Sequence, residues 1–330
     1  MKASNKKKSQ WFMLGLLAVF IAAPNPMLVR IATSGDASTD SLTLLLIKYS
    51  IILMVFFVPL YRFVRSKNSI FRAALKDLLI MSVCTVTSTT VWMMAIEQSS
   101  ASYSSIISLL SPVILVILSA KLVKDRITRR ATAGISLAAI GGILVVALPA
   151  ILQGSAGSGF YPVATLLLLV SCVLSPLAVI YQRRANEHGV PFTASIGLMT
   201  LIAVPVLAML HIFINGGDAL IATMSNLPWQ VWLIATYSAI AVTYIARTLS
   251  IKSYEYNGAA VKGGLAYLET LMSISLPLII LSEQLSIEML VGAILILVGV
   301  FLAESGGKHH LLRLGFEHHP HHLHHHGRPR

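Results

Sequence analysis

Ten apolar stretches, each close to twenty residues long, dominate this sequence: 12–33, 43–61, 78–96, 104–123, 131–151, 161–182, 192–214, 230–251, 260–282 and 287–303. A helix of roughly 20 apolar residues spans the ~30 Å hydrocarbon core of a bilayer, whereas the strands and helices of a water-soluble core are usually shorter. Composition agrees. Of the 330 residues, 56% are apolar and 12% charged, about half the charged share of an ordinary soluble domain. A soluble enzyme, a disulfide-stapled secreted domain and a disordered regulator are thereby excluded. Cys84 and Cys172 both lie inside apolar runs, so they supply neither a disulfide nor a metal framework. The first run follows Lys2, Lys6, Lys7 and Lys8, as a signal peptide would. It is too long for that role, and Ala22-Ala23-Pro24-Asn25-Pro26 is a poor cleavage site, so it reads as a retained helix. The expected fold is an all-α integral membrane bundle of ten transmembrane helices.

Basic residues sort to one side of such a bundle. Ten spans alternate, so every second connection shares a compartment. One set holds the amino terminus, then Arg62, Arg65, Lys67, Arg72 and Lys76, then Lys121, Lys124, Arg126, Arg129 and Arg130. Arg183, Arg184, Lys252 and the tail with Lys308, Arg313, Arg328 and Arg330 complete it. The other set has no Lys or Arg and carries Asp36, Asp40, Glu97, Asp218, Glu283 and Glu288. The positive-inside rule then places both termini in the cytoplasm. The formal net charge of +12 is therefore a topology signal, and no nucleic-acid partner is expected.

The chain also repeats itself. At a shift of 158, Asp125-Arg126-Ile127-Thr128, Gly134 and Gly141 fall on Glu283-Gln284-Leu285-Ser286, Gly292 and Gly299. The same shift pairs Glu97 with Glu255, Ala101 with Ala259, Leu110 with Leu268 and Leu118 with Leu276, and a shift of 152 pairs Pro24 with Pro176. Each unit has five spans, so the second must insert upside down. Inverted repeats place a site near the midplane between the halves and suit alternating access. The organisation expected is a basic amino terminus at 1–11, a first repeat at 12–151, a second at 161–303 and a His-rich cytoplasmic tail at 304–330.

The segments Ser99-Ser100-Ala101 through Leu110-Ser111-Pro112, Asp125-Arg126-Ile127-Thr128, and Gly134 to Gly142 resemble the EamA-type repeat of the drug/metabolite transporter superfamily. The second copy, Leu268-Glu269 through Ser282-Glu283-Gln284-Leu285-Ser286 and Gly292 to Gly299, resembles it more closely. Two positions depart from the pattern: Asp125 stands where glutamate is usual, and Thr270 where proline is common. The resemblance covers roughly 12–303 and implies secondary transport of a small metabolite, often export, with a bacterial inner membrane as the default location. It further implies a cavity enclosed by the first four helices of each half, with the fifth and tenth as supports.

Polar side chains facing lipid are costly, so intramembrane polar stripes mark a cavity or a helix contact. Thr85, Ser88, Thr89 and Trp92 share one helical face; Ser104, Ser108 and Ser111 share another, and the repeat carries that stripe onto Lys262, Ala266 and Glu269. The eighth span has Tyr237, Tyr244 and Arg247, with Arg247 the repeat mate of Thr89. Helix packing is the plain reading for the serines and threonines. The charges are sharper. Arg30, Lys48, Arg247 and Lys262 lie near span ends, where they either snorkel to the headgroups or face the cavity; Glu269 lies too deep and is too short to snorkel. Four cations against one carboxylate favour an anionic or zwitterionic solute. Pro24, Pro26 and Pro176 read as hinges, since matched interruptions in two halves point toward a site. Gly134, Gly141, Gly292 and Gly299 read as close helix packing or a dimer face.

The expected function is secondary transport of an amino acid or organic anion, by efflux or exchange. A small-molecule solute, the bilayer, and protons or a counter-solute would be its partners, and no cofactor is implied. Within the same architecture, the alternative is a flippase for a lipid-linked or amphipathic substrate. Nine histidines between His309 and His326 make a metal-binding tract conceivable in the tail, but the spans contain only His211 and no Asp/His ligand pairs. No metal site is expected in the core. A membrane enzyme would need facing catalytic groups, and no Asp lies in any span.

Overall fold

The computed structural model describes residues 2–34, 39–122, 129–153, 161–217, 225–257 and 259–306. A backbone in hydrocarbon must satisfy its own hydrogen bonds, and all regular structure among the described residues is helical. The helices are α1 (Lys2–Ala22), α2 (Asn25–Thr33), α3 (Ser41–Ser66), α4 (Asn68–Gln98), α5 (Ala101–Ser108), α6 (Leu110–Leu122), α7 (Arg129–Gln153), α8 (Pro162–Glu187) and α9 (Phe192–Asn215). They continue as α10 (Trp229–Thr236), a π-helical segment (Tyr237–Ala246), α11 (Arg247–Asn257), α12 (Ala259–Ile280) and α13 (Ile287–Gly306). Seven segments among the described residues are long and apolar enough to cross a membrane: Ser9–Thr33, Ser41–Ser66, Asn68–Gln98, Ala101–Leu118, Pro162–Glu187, Phe192–Asn215 and Trp229–Ser253. Shorter apolar helices at Thr132–Val146, Leu265–Ile280 and Ile287–Leu302 fall where the remaining three spans were expected.

Three of the expected spans are not plain helices. The first is interrupted between Ala22 and Asn25. Pro24 and Pro26 both lack an N–H, so the carbonyls of Phe20 and Ala22 lose their i+4 donors within one turn. Side chains from elsewhere serve the neighbouring carbonyls: the Tyr237 hydroxyl donates to Ile21 O at 2.7 Å and Ser273 Oγ to Ala23 O at 3.1 Å. The fourth span breaks at Leu109, three residues before Pro112. In the second repeat Thr270 stands where Pro112 does, and α12 runs through unbroken. The third irregular span is the eighth, which carries the π-helical segment; there Thr243 Oγ1 donates five residues back, to Ser238 O, at 2.8 Å. Pro176, by contrast, lies inside a continuous α8. The matched interruption expected from Pro24 and Pro176 is thus found only in the first half, where a second proline follows. The basic 62–77 segment, expected as a loop, is helical except at Lys67, because α3 and α4 extend beyond their apolar runs.

Helix pairing has a twofold pattern. In it α4 packs on α8 and α1 on the π segment and α11, and α6 meets α8 as α12 meets α1. Three further pairs, α3·α9, α5·α12 and α7·α13, join like elements of the two halves. The α7·α13 contact is the glycine seam: a Cβ on Gly141 would meet Gly292 O at 2.7 Å, and one on Gly299 would meet Gly134 O at 2.7 Å. The seam thus packs two helices of one chain, backbone on backbone. Of the two readings weighed, close packing is what the fold uses.

Candidate functional site

Two cavities lie in the walls of this bundle, and the repeat relates them. The first, 580 Å³, is bounded by α4 (Ser88, Thr89, Trp92), α5 and α6 (Ser108, Ser111, Pro112, Leu115) and α8 (Ser171, Cys172, Ser175, Pro176, Val179). The second, 310 Å³, is bounded by α1 (Gly15, Ala18, Val19, Ala22), the π segment and α11 (Val242, Thr243, Ala246, Arg247, Ser250) and α12 (Leu265, Ala266, Glu269). At the shift of 158, Ser88, Thr89, Trp92, Ser108 and Ser111 map to Ala246, Arg247, Ser250, Ala266 and Glu269, and every one of those mates lines the second cavity. The shift of 152 carries Ser171 onto Val19, again wall onto wall. Both volumes suit a small metabolite.

The chemistry of the two cavities differs. The first is neutral: Trp92 Nε1 donates to Ser108 Oγ at 3.2 Å, Ser108 Oγ donates to Ser104 O at 2.7 Å, and Ser88 and Ser171 join their hydroxyls at 2.9 Å. The second is lined by a guanidinium and a carboxylate, Arg247 on α11 and Glu269 on α12. Arg247 is exposed, with its guanidinium carbon 4.8 Å from the centre of the Phe192 ring. A cation stacked on an aromatic face stays charged while its N–H groups remain free to donate elsewhere. Tyr49, buried on α3, lies within electrostatic reach of both Thr89 and Arg247. Lys48, half-buried beside it on α3, is also within electrostatic reach of Arg247. Two of the charges singled out in the sequence, Lys48 and Arg247, therefore lie near one another across α3 and α11.

The family comparison rests on these same segments. A model of the EamA-like transporter family matches residues 9–147 and again 163–304. The chain belongs to the EamA-like transporter family. One solved structure, described only as a crystal structure of a protein, is similar in fold at 17% identity and a TM-score of 0.57, covering 92% of this chain and 98% of its own. No curated protein sequence matches. The EamA-like assignment makes this a multi-pass membrane transporter of the drug/metabolite superfamily, and the wall residues above are where its solute-handling groups are to be sought.

Of the remaining sequence candidates, Arg30, Ser104 and Tyr244 are not among the residues that line the two cavities. Arg30 Nη1 donates to Ile96 O at 2.9 Å and Glu97 O at 2.6 Å, at the end of α4. Ser104, fully buried, hydrogen-bonds Ser99 at 3.0 Å. Tyr244 and Phe56 pack in a T-shaped arrangement, 5.4 Å between centroids. Lys262 lies on α12, but its side chain falls outside the described residues, as do Asp125 to Thr128 and the His-rich tail. Pro176 lines the first cavity, while Pro24 and Pro26 mark the α1–α2 break beside the second. Sequence reasoning did not single out Ser171, Ser175, Ser250, Thr243 or Tyr49. Ser250 was reachable, since it is the repeat mate of Trp92. Ser171 and Ser175 are one turn apart on α8, a spacing that also marks a face.

Proposed function

We propose that this protein is a secondary transporter that carries a small zwitterionic or anionic metabolite, such as an amino acid or organic acid, across a cell membrane by alternating access. Ten spans in two inverted sets of five, both termini in the cytoplasm, and efflux or exchange as the direction belong to the same reading. The observation that supports it is the pair of repeat-related cavities, one of which has exchanged Thr89 and Ser111 for Arg247 and Glu269. Neutral walls let a solute pass without a deep well. A cation and a carboxylate lining one cavity hold a solute carrying both signs, and in a water-poor setting charge-assisted bonds are about twice as strong as neutral ones.

The test is reconstitution into proteoliposomes preloaded with unlabelled solute, followed by counterflow of a labelled panel: amino acids, dicarboxylates, polyamines and a fluorescent phospholipid. Accumulation of an amino acid or organic acid above empty liposomes supports the reading. Counterflow of polyamines alone, or scrambling of the phospholipid alone, would overturn it.

A further inference from the structure

The connection between α4 and α5, residues 96–102, is held by opposite charges at its two helix ends. The last carbonyls of α4 have no partner inside the helix and carry the negative end of its dipole; Arg30 of α2 donates to Ile96 O and Glu97 O there. The first amides of α5 carry the positive end, and the Glu283 carboxylate accepts from Ala101 N and Ser102 N, 2.9 Å each. The same connection reaches further. Glu97 Oε2 accepts from Ser41 N at the start of α3, at 3.3 Å, and Ser102 Oγ donates to Ile274 O at 3.2 Å. One short turn thus joins α2, α3 and the α12–α13 connection, and both charged holds come from outside its own hairpin.

We propose that residues 96–102 are the gate at the end of the bundle remote from the amino terminus, and that Arg30 and Glu283 are its two catches. The inference rests on the alternating-access reading above and names what must let go in that cycle. Arg30 rides on α2, which the break at Ala23–Pro24 separates from α1, a wall of the second cavity. It can therefore release without moving that wall. Glu283 comes from the second repeat, so this catch ties one half to the other. The turn leads directly into Trp92 on one side and Ser108 on the other, both in the first cavity. Charge-assisted bonds to helix ends are strong enough to hold a state and weak enough to exchange for water. A hydrophobic plug of the same area would not release as readily.

Cys172 reports the gate. It lines the first cavity yet is only 2% exposed. In a C84A background, a membrane-impermeant maleimide should alkylate Cys172 slowly in the otherwise unchanged protein. R30Q and E283Q should each raise that rate about tenfold, the population shift that follows from losing about 1.4 kcal/mol of closed-state preference. The rise should be confined to reagent added at one membrane face. R30K, which keeps the charge, should fall between. Unchanged labelling in R30Q and E283Q, each recovered monodisperse with native helicity, overturns the proposal. So does an equal rise from both faces, which is what general loosening gives. Should R30Q not be recovered, E283Q reads the same turn from a different element and decides alone. The labelling needs no solute, so a failed counterflow panel with one-sided gating would sink the transport reading and leave the gate standing.

Discussion

Where the two halves grip each other they are alike; where they line the two cavities they differ. At the α7·α13 seam, Gly141 and its repeat mate Gly299 both sit against opposing backbone. At the cavities, Thr89 faces Arg247 across the repeat and Ser111 faces Glu269. Packing against a twofold partner makes the same demand on both copies, because each glycine meets the other copy's backbone. The cavity walls are not held by that demand, and on the proposed reading placing both Arg247 and Glu269 in one copy gives a solute one preferred seat.

The alike region gives the largest expected effect. A Cβ on Gly299 would meet Gly134 O at 2.7 Å, and one on its repeat mate Gly141 would meet Gly292 O at 2.7 Å. G299V and G141V each force three carbons into backbone contact, and overpacking costs about 1–3 kcal/mol even where some relaxation is available. The nearest atoms at both positions are main chain, so the upper part of that range applies. Both variants should lose much of the monodisperse protein recovered by size exclusion and melt several degrees lower. Equal losses keep the symmetry. A severe loss in one with none in the other would break it.

The unlike region comes next. R247Q and E269Q should each raise the transport KM by about 10–100-fold, the loss expected when a charge-assisted bond to a desolvated partner goes. Their mates T89V and S111A should shift it by less than about fivefold, the scale of a neutral bond. Initial rates in proteoliposomes separate the two sets. Comparable shifts in all four would mean that the neutral cavity binds as strongly as the charged one, and the division drawn above would fall.

How much of this was legible beforehand follows from which forces act locally. Seven of the ten expected spans were readable, among the described residues, because hydrocarbon thickness fixes their length, and the repeat because packing preserved glycine register. Arg247 and Glu269 stood out because an ionised group in a span has few tolerable uses. The α1 break was half-readable: Pro24 signalled it, but the contrast with the intact α8 needed Pro26, whose counterpart at the shift of 152 is Ala178. The unbroken α12 was foreshadowed by Thr270 in the place of Pro112. Arg30 was the opaque one. Its acceptors are carbonyls 66 and 67 residues away, and backbone acceptors leave no trace in side-chain pattern. Glu283 hides for the same reason. The π segment has no composition signal in Tyr237–Ala246 that sets it apart from an ordinary span.

The smallest effect sharpens the comparison most finely. At the first cavity, α4 and α8 are joined by Ser88 and Ser171 at 2.9 Å; at the second, their mates Ala246 and Val19 offer no hydroxyl. Side-chain hydrogen bonds between membrane helices average about 0.6 kcal/mol and rarely exceed about 1.7 kcal/mol, because the separated helices also find partners. S88A should therefore lower the melting temperature by only about 1–2 °C. The paired change V19S/A246S writes the same bond at the second cavity. If the two walls are equivalent frames with different furnishing, it should be tolerated and should recover a comparable increment. A loss of more than a few degrees would mean that the α1 wall needs its apolar contact, and that the halves differ in how they pack as well as in what they bind.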